Sequence, residues 1–208
     1  MTNKAPGLLQ LWGCLLFACS ARADFEQPPV VSLKCGKISG SVAPVKNANR
    51  TLAFSYASIP FAAPPVKELR FRAPVAPSCP WTGIRNGSAV PNVCVQTGGG
   101  GSEDCLYLHV VRPTTEPPAG GWPVYVTLHG GNLIGGGTPY MLSQSQVIAT
   151  QIPGGGVLVA AAYRLNTLGW LADASLDEES GFSGNYGLLD AIAALEWVRV
   201  ATKHYQQL

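Results

Sequence analysis

The residues of this 208-residue chain whose types and spacing could do chemistry begin with His129-Gly130-Gly131-Asn132. Acyl transfer places negative charge on a carbonyl oxygen, and backbone N–H groups aimed at that oxygen stabilise it. Glycines let a backbone approach closely and take unusual φ/ψ values. Asn is among the non-glycine residues most tolerant of positive φ. By itself the string also fits a plain glycine turn after a strand. A nucleophile for such donors to assist is missing. No Gly-x-Ser-x-Gly pentapeptide, which would carry an exposed serine on a strand-to-helix turn, occurs between Met1 and Leu208. Gly181-Phe182-Ser183-Gly184-Asn185 comes nearest and ends on the wrong residue.

Donors of this kind need a scaffold, and the apolar pattern predicts one. Val31–Leu33 and Ile38–Val42 flank the turn-like Cys35-Gly36-Lys37 and read as short strands; Leu52–Tyr56 reads as another. Prolines 60, 64, 65, 74, 77 and 80 force the stretch from Ile59 to Pro80 to be extended or irregular. Gly98–Gly101 reads as a flexible loop tip. Leu106–Val111 and Pro123–Leu128 are strands, and the near-continuous apolar run Gly156–Tyr163 predicts a central strand covered on both faces. Met141–Thr150 has weak helical character. Leu188, Ile192, Leu195 and Val198 recur at helical spacing and predict one buried face. Strand, connection, strand, helix in this order predicts an α/β sheet.

Lys4, the apolar run Leu8–Cys19 and the small-x-small string Ala21-Arg22-Ala23 predict a secretory signal over residues 1–23, with the mature chain starting at Asp24. The run is shorter than the roughly 20 residues that span a bilayer, so no membrane span is expected after cleavage. Without Lys4 and Arg22 the 14 Lys and Arg become 12, equal to the 12 Asp and Glu. A net charge of zero argues against a nucleic-acid or anionic-membrane partner. Four cysteines remain, Cys35, Cys79, Cys94 and Cys105, an even count that suggests disulfides. Four cysteines allow three pairings. No Cys-x-x-Cys or Cys/His cluster occurs, so neither a metal nor a cofactor is expected. Asn49-Arg50-Thr51 and Asn86-Gly87-Ser88 are glycosylation sequons.

Four ordered strings carry a resemblance: Glu103-Asp104-Cys105-Leu106-Tyr107-Leu108, Leu128-His129-Gly130-Gly131-Asn132, Ala162-Tyr163-Arg164-Leu165 and Gly184-Asn185-Tyr186-Gly187-Leu188-Leu189-Asp190. Together they resemble the type-B carboxylesterase/cholinesterase family of α/β-hydrolases, over roughly Val31 to Val200. The resemblance implies an incomplete α/β-hydrolase fold: the N-terminal strands of a mostly parallel central sheet plus the first helices. It implies that Gly131 and Asn132 donate their N–H groups to an oxyanion while Gly130 shapes the loop, with Asn132 replacing the commonest glycine. It pairs Cys94 with Cys105, which leaves Cys35 and Cys79 over or weakly paired. It also implies ion pairs Arg70–Glu103 and Arg164–Asp190 inside the domain. Asp190 also reads as a carboxylate favoured by the dipole in a helix's first turn, and the two readings can hold together. His109 stands where the family usually has Asn and reads as structural.

The family's Ser, acid and His would all lie beyond Leu208. The resemblance therefore implies a fragment of a secreted serine ester hydrolase, inactive alone, whose complete form would cleave small-molecule carboxylic esters through an acyl-enzyme. The alternative is a fragment of a non-catalytic, cholinesterase-like adhesion or binding protein.

Overall fold

The computed structural model describes residues 27–44, 52–141, 153 and 155–204. The leader, the Asn49 sequon and residues 142–150 of the weakly helical segment lie outside the described residues.

Short strands β1 (Val31–Leu33) and β2 (Gly36–Ser39) pair antiparallel. β5 (Ile84–Asn86) joins β2 in parallel to complete a small sheet. The expected strand Ile38–Val42 divides at Gly40, because β3 (Ser41–Pro44) belongs to a second sheet. A Cβ at Gly40 would lie 2.7 Å from the Tyr56 ring and 2.8 Å from the Ser55 carbonyl, so the crossing is open only to glycine.

The second sheet adds β4 (Leu52–Pro60), β6 (Tyr107–Pro113), β7 (Val124–Leu128) and β8 (Val157–Ala161), in the order β3-β4-β6-β8-β7. β4 runs past Tyr56 because its register shifts between Tyr56 and Ile59, where Ser58 takes φ 57°. The pairings β3–β4, β4–β6 and β6–β8 are antiparallel; parallel pairing begins at β7–β8. All five residues of β8 are buried, as a strand covered on both faces requires. The proline-rich stretch after β4 forms only one 3-10 turn, Lys67–Leu69.

Helices α1 (Asn166–Trp170), α2 (Ala174–Ser180) and α3 (Tyr186–His204) follow β8. α2 is closed by the Asp173 carboxylate at its start and by Gly181, with φ 80°, at its end. α3 lays Tyr186, Asp190, Ala191, Ala194, Val198 and Ala201 inward. Ala194 and Val198 join Phe54, Tyr56, Leu108, Val110, Val157 and Val159 in the core. Of the set expected on one buried face, Val198 is buried, whereas Leu188, Ile192 and Leu195 are 49%, 53% and 50% exposed. Helical spacing identifies residues that share a face. It does not fix which way that face points, and here small alanines set the close approach to the sheet.

Candidate functional site

The string His129-Gly130-Gly131-Asn132 begins directly after β7. His129 is buried and stacks on Tyr163, the ring centroids 4.4 Å apart. Its carbonyl accepts from the Tyr163 hydroxyl at 2.7 Å, and its Nδ1 lies 3.0 Å from the Gly130 carbonyl oxygen. Burial holds the His129 imidazole below its usual range, opposed by the Gly130 carbonyl. The neutral ring therefore presents Nδ1–H to Gly130, since a carbonyl can only accept.

Beyond it the chain reverses through Gly131 (φ 121°), Asn132 (φ 53°) and Leu133 (φ 63°). The Gly131 carbonyl accepts from Ile134 and Gly135 at 3.0 and 3.1 Å. A Cβ on Gly131 would meet the Gly135 oxygen at 2.1 Å, so this turn excludes every side chain there. Asn132 takes a left-handed backbone that few non-glycine residues adopt. Gly130, Gly131 and Asn132 are exposed, and their N–H groups donate to no atom among the described residues. Two or three unengaged N–H groups on a turn fixed from behind can stabilise an oxyanion.

The family model described as the Carboxylesterase family matches residues 27–205. This chain belongs to the carboxylesterase family. It is 34% identical to the rat pyrethroid hydrolase Ces2e over 98% of this chain and 37% of that protein. It is 38% identical to human carboxylesterase 3 over 89% and 34%, respectively. The fumonisin B1 esterase of Sphingopyxis macrogoltabida is 39% identical over 70% of this chain and 28% of its own length. Among solved structures, a PNB esterase superposes with a TM-score of 0.69 at 35% identity, covering 82% of this chain and 34% of that one. The chain thus spans about a third of the length of the relatives it matches. Its fold is part of an α/β-hydrolase.

The other residues named for the carboxylesterase family form bridges and ion pairs of their own. Cys94 and Cys105 are joined, their Cα atoms 5.0 Å apart. Cys35 and Cys79 are joined as well, at 4.7 Å, so of the two expectations, left over or weakly paired, the first is overturned. The pairing depends on the return of the proline-rich chain to β1, which spacing alone does not reveal. Arg70 grips Glu103 through Nε and Nη2, both at 2.6 Å, and holds that carboxyl below its usual range. This pair sits at the surface rather than in the interior, with side chains 44% and 24% exposed. Arg164–Asp190 is the buried pair, at 2.7 Å. Asp190 is the fifth residue of α3, beyond the first turn, so its partner is the guanidinium rather than the helix end.

Two serines bear on the missing nucleophile. Ser183 accepts from the Asp173 N–H at 3.0 Å and serves the start of α2. Ser55 Oγ lies 2.6 Å from His109 Nε2, the spacing of a nucleophile and its base. Both side chains are buried, however, and His109 Nδ1 has no partner among the described residues that could orient it. Burial drives the His109 imidazole down to about 4. This dyad is a structural rung between β4 and β6, closed to substrate.

A cavity of about 320 Å³ lies elsewhere, between Trp81, Trp197 and the Cys35–Cys79 disulfide, and shares no residue with the glycine turn. Among the described residues no group of His, Cys, Asp and Glu could hold a metal ion, and no helix is long and apolar enough to cross a membrane. Gln96 and Asn166, which bond the turn, and Ser55, which bonds β6, carry no motif in the sequence. Their partners are backbone atoms or residues far along the chain.

Proposed function

We propose that this chain is the N-terminal part of a secreted hydrolase of carboxylic esters, in which the turn after β7 is the oxyanion hole. Gly131 and Asn132 donate their N–H groups to the developing alkoxide, and Gly130 shapes the approach. The serine nucleophile, its acid and its histidine come from outside residues 1–208, so the chain alone is inactive. The observation that carries this reading is the left-handed turn at Asn132 and Leu133, with unengaged, exposed N–H groups before it. Membership of the carboxylesterase family, whose matched relatives include an esterase and a pyrethroid hydrolase, supports the same chemistry.

Secretion rests on the residue 1–23 leader and on two disulfides, which persist in oxidising compartments. Asn86 is an exposed glycan acceptor in this reading, its Oδ1 bound by the Ser88 N–H and hydroxyl; Asn49 is the second acceptor.

The test is to sequence the full transcript, express its product and assay a chromogenic short-chain ester. We expect a Gly-x-Ser-x-Gly elbow downstream and saturable turnover. Distorting the oxyanion turn with Gly131→Ala should lower kcat by about 10²–10³. A downstream region without that serine would turn the reading to a binding protein. Turnover and a covalent serine adduct on residues 24–208 alone would refute the inactivity of this part.

A further inference from the structure

We infer that the Cys94–Cys105 loop is the brace that aims the oxyanion N–H groups, with Gln96 and Asn166 as its positioning residues. The inference rests on the oxyanion reading of the turn.

A peptide plane carries a carbonyl and the following N–H as one rigid unit. The Asn132 N–H therefore points where the Gly131 carbonyl allows, and that carbonyl is held by the Ile134 and Gly135 N–H groups. Those two N–H groups belong to planes whose own carbonyls, of Leu133 and Ile134, are held in turn. The Asn166 N–H binds the Leu133 oxygen at 2.8 Å, and the Thr97 N–H binds the Ile134 oxygen at 3.0 Å. Two peptide planes thus relay the position of residues 97 and 166 to the carbonyl opposite the Asn132 N–H.

The brace is tied across itself. Asn166 donates from Nδ2 to the Val95 oxygen at 3.0 Å and accepts at Oδ1 from the Thr97 hydroxyl at 2.6 Å. Gln96 closes the far side of the turn with its amide. Nε2 donates to the Gly136 oxygen, and Oε1 accepts from the Gly136 N–H at 3.3 Å. Only one orientation of the amide satisfies both bonds. A Cβ on Gly136 would meet the Gly130 oxygen at 2.3 Å, so the residue Gln96 holds runs close beside the plane that carries the Gly131 N–H and has room only for glycine. The disulfide at Cys94, two residues before Gln96, anchors this segment to Cys105, two residues ahead of β6.

The experiment is amide hydrogen exchange on the full chain, read by mass spectrometry, which tolerates self-association. Residues 130–137 are compared with β6 and β8 in the same sample. Gln96→Met keeps the length and removes both bonds. It should speed exchange in 130–137 about tenfold while β6 and β8 stay unchanged. Gln96→Glu should show the same loosening at pH 7 and regain protection as pH falls through the carboxyl's ordinary value of about 4.3, where the protonated acid donates and accepts as the amide does. Exchange in 130–137 within twofold of wild type for Gln96→Met, or loosening spread evenly over both strands, would overturn the inference. Because backbone order rather than turnover is read, the outcome stands apart from whether the completed protein hydrolyses esters.

Discussion

Asp190 accepts three hydrogen bonds from one residue: Arg164 Nε at 2.8 Å, Nη2 at 2.7 Å and its backbone N–H at 3.0 Å. The two side chains are 0% and 4% exposed. Burial pushes the Asp190 carboxyl up, and the Arg164 donors pull it back. The guanidinium also lies 5.5 Å from the Tyr186 ring centroid, so the segment that follows β8 and the start of α3 are joined by one cation.

Asp190→Ala strands that cation in the interior and should cost about 3–5 kcal/mol in urea unfolding. Glu103→Gln, at the exposed pair, should scarcely move the midpoint. A small effect at Asp190 would mean that water or a neighbour solvates Arg164.

His109 predicts an acid limb in stability. Its imidazole is neutral in the fold down to about 4 and takes up a proton near 6.5 when unfolded. Between those values the unfolded chain binds more protons, so lowering the pH favours unfolding. The loss should approach about 3 kcal/mol by pH 4, and His129, shifted in the same direction, adds to it. His109→Gln should flatten the slope. An unchanged slope in that variant would assign the limb to other groups.

Non-reducing peptide mapping should recover Cys35 linked to Cys79 and Cys94 linked to Cys105, with no free thiol at these four positions. Closing loops with separations of 44 and 11 residues should contribute about 4 and 3 kcal/mol, respectively. A cross-linked peptide containing Cys35 and Cys94 would contradict the assignment.

The exposed stripe on α3 predicts an effect on association rather than on folding. Replacing Leu188, Ile192 and Leu195 together with Gln should leave the unfolding midpoint nearly unchanged and reduce self-association and hydrophobic dye binding. A loss of several kcal/mol would show that the stripe is covered.

What the sequence made legible follows the range of the interactions. Glycines 130 and 131 announce a turn because their reason is local, and β8 announces itself through an unbroken apolar run. The α3 stripe is legible in part, because Val198 turns inward while Leu188, Ile192 and Leu195 face outward among the described residues. Cys35 gives no hint of Cys79 because their meeting depends on the path of six intervening prolines and a sheet edge. Gln96 and Ser55 stay silent for another reason. One holds a backbone atom and the other a histidine 54 residues away, and neither partner leaves a pattern at its own position.

The two disulfides are consecutive along the chain: neither loop encloses or crosses the other. Of the three possible pairings of Cys35, Cys79, Cys94 and Cys105, this one joins them in order, first to second and third to fourth. If the chain is secreted as proposed, threading N-terminus first into an oxidising lumen brings each second cysteine to the one waiting for it. Cys35 would wait for Cys79 and Cys94 for Cys105. Oxidation in the order of delivery then reaches the native bridges without reshuffling, and a disulfide isomerase would have little to correct.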